Sequence, residues 1–141
     1  MTYKEWADSE ALRKGQIILK LQGQGKSVVD IVDYFDYENM VVMEPNYCGL
    51  YRDCIKCHDV EELNCFFCGC PYFKFDDKGL TKRKDKVVYS TCVIDAIKGV
   101  EFVTENAIHQ DCTDCSIPHR KEFVYREAQK IIKVVKERYE N

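Results

Sequence analysis

Three Cys-x2-Cys pairs, Cys54/Cys57, Cys65/Cys68 and Cys112/Cys115, lie in a chain of 141 residues that holds nine cysteines. Two thiols at this spacing can reach one ion, because the turn between them curls the backbone so that its amides also face the sulfurs. His58 directly follows Cys57, and His119 follows Cys115 at the distance that completes Cys-x2-Cys-x3-His, a zinc-type spacing. His109, three residues before Cys112, reads as an ordinary polar residue or a group behind the ligands. The stretch Asn64–Phe73 puts Cys65, Cys68 and Cys70 among four aromatic rings, with Pro71 fixing the backbone beside the last sulfur.

Cys57, His58, Cys65, Cys68, Cys70, Cys112, Cys115 and His119 are enough donors for two closed tetrahedral sites, before Cys48, Cys54 and Cys92 are added. A closed site is structural, whereas one with fewer than four protein ligands leaves room for water or substrate. Histidine donors and separated knuckles favour zinc. The tight Cys65/Cys68/Cys70 triplet with its Cys-Pro ending keeps an iron–sulfur cluster as the alternative. Phe66, Phe67, Tyr72, Phe73 and Phe75 read as apolar packing round the knuckle rather than as a platform for bases.

Charge and composition narrow the function. A formal charge of −3 argues against nucleic acid as a partner, and the basic run Lys78–Lys86 is interrupted by Asp85, which reads as a solvated loop. The first residues lack an apolar leader core, and no apolar run is long enough to span a membrane, so a cytoplasmic protein is expected. In a reducing compartment paired thiols are ligands more often than disulfides, and the odd count fits no complete disulfide framework. No Ser-His-Asp triad, phosphate loop or paired catalytic carboxylates can be picked out, so nothing specifies an enzyme.

The segments that must position these donors are helical at both ends. Residues 3–22 read as a helix opened by a Thr2/Glu5 capping box, with Trp6, Leu12, Ile17, Ile18, Leu19 and Leu21 as its apolar set and Gly23-Gln24-Gly25 as its stop. A second box, Ser27/Asp30, opens a helix with Val28, Ile31, Val32 and Phe35 on one face, extending through Met40 toward Pro45. The Gly turn before it resembles a helix-turn-helix, but Asp30, Asp33, Asp36 and Glu38 would repel phosphate. From Tyr47 to Phe75 periodicity gives way to turns. Residues 87–94 read as a strand whose hairpin partner, beyond Gly99, is Val100–Thr104. Residues 120–139 read as an amphipathic helix with a Tyr125, Ala128, Ile132, Val135, Tyr139 stripe. The expected fold is α+β: a small metal-stapled cysteine-rich domain with a β-hairpin, flanked by an N-terminal helical hairpin and a C-terminal helix. Residues 1–45 form the helical extension and residues 46–141 the metal-binding domain.

Cys57-His58, then Asn64-Cys65-Phe66-Phe67-Cys68-Gly69-Cys70-Pro71-Tyr72, then Asp111-Cys112-Thr113-Asp114-Cys115-Ser116-Ile117-Pro118-His119 resemble, in that order, the cysteine-rich small domain family of bacteria and archaea. The resemblance runs from about Tyr47 to Tyr125 and implies metal binding through Cys57, His58, Cys65, Cys68, Cys70, Cys112, Cys115 and His119. Some members are joined to an enzyme of cobinamide salvage, and no reaction of the domain itself is implied. This chain departs from the pattern at Lys56, where proline is usual, and in lacking a cysteine soon after Tyr72, a role Cys92 could take. Together the residues and the resemblance point to a zinc-binding, zinc-finger-like module that acts structurally or meets a protein partner, with an iron–sulfur protein of redox or sulfur-handling role as the alternative.

Overall fold

A computed structural model describes residues 3–68, 70, 72–75, 81–93, 99–112 and 115–139. Thr2 of the first capping box, the Gly69 and Pro71 positions, residues 76–80 of the basic segment, the Ile94 end of the expected strand and the Thr113-Asp114 step lie outside them. The architecture is α+β, with four α-helices and two small sheets. It divides into two units, one ending at Cys68 and resuming at Ile117, the other spanning the residues between.

The first unit holds the helices. Helix α1, Tyr3–Gly23, ends as a Schellman turn: Lys26 N–H donates to Leu21 O and Gly25 N–H to Gln22 O, with Gly25 at φ 77° where a side chain would be strained. Its buried stripe is Glu10, Lys14, Ile17, Ile18 and Leu21, while Leu12, expected in the core, is 62% exposed. Two charged residues thus occupy core positions, and each has partners there. Tyr47 Oη donates to a Glu10 carboxylate oxygen, and Lys14 Nζ donates to Phe66 O at 3.0 Å with Glu10 3.9 Å away.

The Ser27/Asp30 box is formed, with both reciprocal bonds at 3.2 Å, and opens α2, Val28–Tyr34. The helix does not run on to Met40. It stops at Phe35, and Asp36, at φ −59° and ψ 139°, starts α3, Tyr37–Met43. The break is tertiary in origin: Asp36 forms a β-bridge with Asn64, Tyr37 N–H donates to Leu63 O at 2.9 Å and Cys65 N–H to Phe35 O at 2.7 Å. Backbone groups that would have closed the helix pair with the cysteine-bearing segment instead.

Helix α4, Lys121–Tyr139, buries Phe123, Val124, Ala128 and Ile132, so its inward face is turned slightly from the expected stripe, with Tyr125 and Val135 only half-buried. Lys121 Nζ bridges Asp36 at 2.8 Å and Asp33 at 3.0 Å, and Tyr125 Oη donates to Asp33 at 2.5 Å. Two of the acidic residues that count against a DNA-reading helix, Asp33 and Asp36, therefore serve to hold α4.

The second unit holds the strands. Strand β1, Phe73–Phe75, pairs antiparallel with β4, Ser90–Cys92. The other sheet has the order β2, Lys82–Arg83; β3, Lys86–Val88; β6, Ala107–Asp111; β5, Val100–Val103. The expected 87–94 strand is broken at Tyr89 into β3 and β4, and Val100–Val103 pairs with β6 rather than with either of them. The nearer hairpin wins because Thr104 closes it, its Oγ1 accepting from Ala107 N–H at 3.1 Å and its own N–H donating to Ala107 O at 2.8 Å. Lys82, Arg83 and Lys84 are exposed, and Arg83 pairs with Glu101.

The α4 clamp makes a testable claim. Burial would lower the Lys121 pKa, but hydrogen bonds to Asp36 and Asp33 outweigh it and raise it; the Tyr125 hydroxyl and Lys121 lower that of Asp33. Lys121 therefore contributes stability that is full below its unfolded pKa and is lost as pH rises through the higher folded value, whereas Asp33 contributes above its unfolded pKa and is lost as pH falls through the lower folded one. Lys121→Met is expected to lower the urea-unfolding free energy at pH 7 by about 1 kcal/mol. The deficit should shrink as pH falls below about 4 toward the depressed folded value of Asp33, and as pH rises above about 10.5 toward the raised folded value of Lys121. A deficit constant across that range would refute the clamp.

Candidate metal centre

The local chain explains how the donors are presented. A 3₁₀ turn, Gly49–Asp53, ends at Cys54, which takes the left-handed conformation at φ 54° and turns the backbone into Ile55–His58. A second 3₁₀ turn, Ile117–His119, leads into α4 and buries Pro118 and His119. Against this second turn sits Asn64, wholly buried. Its Nδ2 donates to Val32 O at 2.8 Å and to Asp36 Oδ1 at 3.0 Å, and its Oδ1 accepts from Phe66 N–H at 2.9 Å. Its backbone N–H donates to His119 O at 3.0 Å.

Cys57, His58 and His119 come together, with one ligand atom from each lying within 4.8 Å of the others. Cys57 Sγ is 3.2 Å from His58 Nδ1 and 3.8 Å from His119 Nε2, and the two imidazole centroids are 4.8 Å apart. His119 Nδ1 donates to Asn64 O at 2.9 Å, which leaves the Nε2 lone pair aimed at the cluster. Burial lowers the His119 pKa more than the Asn64 carbonyl raises it, so the ring is held neutral, the form that ligates. His58 Nε2 is buried without a hydrogen-bond partner. One thiol and two imidazoles are a donor set that suits zinc.

Further sulfurs lie in the same unit. Burial pushes the Cys57 thiol up to about 11, and the next causes are the sulfurs of Cys65 and Cys48. Although Cys57 as a residue is exposed, its sulfur faces His119 and these neighbours. Cys65 and Cys68 are hydrogen-bonded to each other, which holds the proton on Cys68, raised also by burial, and lowers Cys65. Cys65 is thus the better thiolate of the pair. Tyr51 and Tyr37 carry buried hydroxyls without partners of hydrogen-bonding geometry, and burial together with Cys65, Cys48 and, for Tyr37, Cys54 raises both. Cys54 itself is exposed. All nine thiols are free.

Cys70, Cys92, Cys112 and Cys115 belong to the second unit. His119, which sequence spacing places after Cys112 and Cys115, is seated against Cys57 and His58. His109 is exposed and stacks on Tyr89, the rings 5.2 Å apart and 12° from parallel. Phe66 and Phe67 are fully buried and pack edge to face, at 4.9 Å, with Phe35 and Phe123 on either side, which is apolar packing. Sequence reading missed Asn64 as a positioning residue and Lys14 as a buried partner of the knuckle. A fully polar residue directly before a Cys-x2-Cys pair was the available sign of the first, and the Glu10/Lys14 spacing on one helix face of the second.

The chain matches no family model, and no curated protein or solved structure matches it either.

Asn64→Ala removes three buried side-chain hydrogen bonds and strands the Phe66 N–H. It should lower unfolding free energy by roughly 2–4 kcal/mol, read by urea denaturation. A loss below about 1 kcal/mol would show that the knuckle does not depend on that amide.

Proposed function

We propose that the chain is a zinc-binding module in which the ion is architectural, held by Cys57, His58, His119 and, as fourth ligand, Cys65. The observation that carries this reading is the convergence of one thiol and two imidazoles within 4.8 Å, with His119 oriented from behind by Asn64. Cys65 is assigned the fourth corner because it directly follows Asn64, whose backbone exchanges two hydrogen bonds with His119, and because its sulfur lies close enough to Cys57 to help raise that thiol. Four protein ligands close the site, leaving no position for substrate, so its role is to tie the Ile55–His58 loop, the Asn64–Cys68 knuckle and the approach to α4.

The mixed nitrogen and sulfur donors favour zinc over an iron–sulfur cluster, which thiolates alone ordinarily hold. The resemblance to the cysteine-rich small domain family agrees with a metal-binding module and supplies no reaction. A protein is the expected partner of such a module. Strand β5 at the edge of its sheet offers exposed Val100, Phe102 and Val103, as an interaction module would.

Protein purified without air should be colourless and contain zinc. Cys57→Ser and His119→Ala should each remove about one zinc per chain, and chelation should speed amide hydrogen exchange in the Ile55–His58 loop of the wild type while the helical core persists. Iron with acid-labile sulfide, or unchanged zinc in both variants, would overturn the assignment.

A further inference from the structure

Four cysteines of the second unit are brought to one end of its strands by hydrogen-bond register alone. Strands β3 and β6 run parallel, with Val87 abreast of Ala107 and Val88 abreast of Ile108. The same alignment continues into β4: Tyr89 N–H donates to Ile108 O at 2.9 Å, and Gln110 N–H donates to Ser90 Oγ at 2.7 Å. Two residues further on each chain, at the same stagger, stand Cys92 and Cys112. On the other side of β4, Cys92 is paired with Phe73, and Val93 N–H donates to Tyr72 O at 2.9 Å. The turn that feeds β1 is closed by Phe73 N–H donating to Cys70 O at 3.1 Å, which folds Cys70 back toward Cys92. A matching turn closed by Cys115 N–H to Cys112 O, at 3.0 Å, brings the last cysteine in.

We propose that Cys70, Cys92, Cys112 and Cys115 form a second metal site, an all-thiolate tetrahedral site for zinc, distinct from the Cys/His centre of the first unit. Three further observations support it. Cys70 and Cys112 each lie within electrostatic reach of the other, of Cys92 and of Cys115. The amides of Tyr72 and Phe73 face the Cys70 sulfur and the Gln110 side chain faces that of Cys112, donors that a dianionic tetrathiolate needs. The neighbouring imidazole is engaged elsewhere, because His109 stacks on Tyr89 and, by strand alternation, projects to the face opposite Gln110. Soft thiolates without imidazole or carboxylate select a thiophilic ion. Among the described residues the one donor group already gathered as a metal site requires is Cys57, His58 and His119, so at the second site the ion draws the sulfurs in, each to about 2.3 Å from it.

The test uses the full chain loaded with cadmium, read by ¹¹³Cd NMR, with native mass spectrometry for stoichiometry. Two resonances are expected, and the one from the all-sulfur site should lie further downfield than the one from the mixed site. Cys92→Ser should shift or abolish the downfield resonance and leave the other in place, while His119→Ala should do the reverse, so the two sites can fail separately. A single ion per chain, or a downfield resonance indifferent to Cys92→Ser, would overturn the proposal. Should Cys92→Ser fail to fold, thiol alkylation of the wild type decides. Cys70, Cys92, Cys112 and Cys115 should react at least tenfold more slowly in the loaded than in the metal-free chain. Equal rates at Cys92 would overturn the proposal.

Discussion

The first unit is arranged round one buried amide. A primary amide has two N–H donors and an accepting oxygen, and taking it out of water without partners costs a few kcal/mol. Asn64 is fully buried and satisfies both ends of its side chain within the unit. The partners fix three things at once: Val32 O and Asp36 Oδ1 mark the end of α2 and the start of α3, Phe66 N–H sets the knuckle turn, and the Asn64 backbone exchanges two hydrogen bonds with His119. No apolar residue could replace it without leaving buried donors and acceptors unpaired. The position of the Cys65–Cys68 knuckle is therefore tied to the helices as well as to any ion.

The same knuckle is shielded by rings and held by a charge. Phe35, Phe66, Phe67 and Phe123 form an edge-to-face series, and the Lys14 ammonium lies over both Phe66 and Phe67, 5.2 Å and 5.3 Å from their centroids. Excluding water there strengthens every electrostatic interaction, favourable or not. Glu10 adds to the forces that keep Cys68 protonated, while Lys14 sits between Glu10 and the Phe66 carbonyl and offsets part of that field. A cation at the Cys/His cluster would act in the same direction, turning thiols that crowd and repel as thiolates into ligands that share one charge.

What the sequence disclosed follows from the range of the forces involved. The Ser27/Asp30 box, the stop after Gly23, the turn-rich stretch from Tyr47 and the amphipathic α4 are local, written in residues three or four apart, and each is present. The misses are tertiary. A continuous 28–40 helix is locally reasonable, and only the bridge from Asp36 to Asn64 interrupts it. The burial of Glu10 and Lys14 depends on Tyr47 and Phe66, both distant along the chain. Spacing likewise showed which donors can reach an ion but not which segments meet, so it could not foresee the place of His119 against Cys57 and His58.

Burial is uneven between the two units, and this bears on why cysteines recur in both. The helices of the first unit bury Ile18, Ile31, Val32, Phe35, Met40, Phe66, Phe67 and Val124 to within a few per cent of full exclusion, a core large enough to persist with help from Asn64. Among the described residues of the second unit only Val88, Ser90, Ile108 and Cys115 are buried, and every residue of β5 is exposed. Strands of two to five residues with so little apolar area removed from water fall short of the conformational entropy they must overcome. Covalent or coordinate links are the usual remedy at that size, and the proposed tetrathiolate site would supply one. An ion would therefore be an accessory constraint on the helical unit, whereas at the proposed tetrathiolate site it would add a constraint that the small core of the stranded unit does not supply.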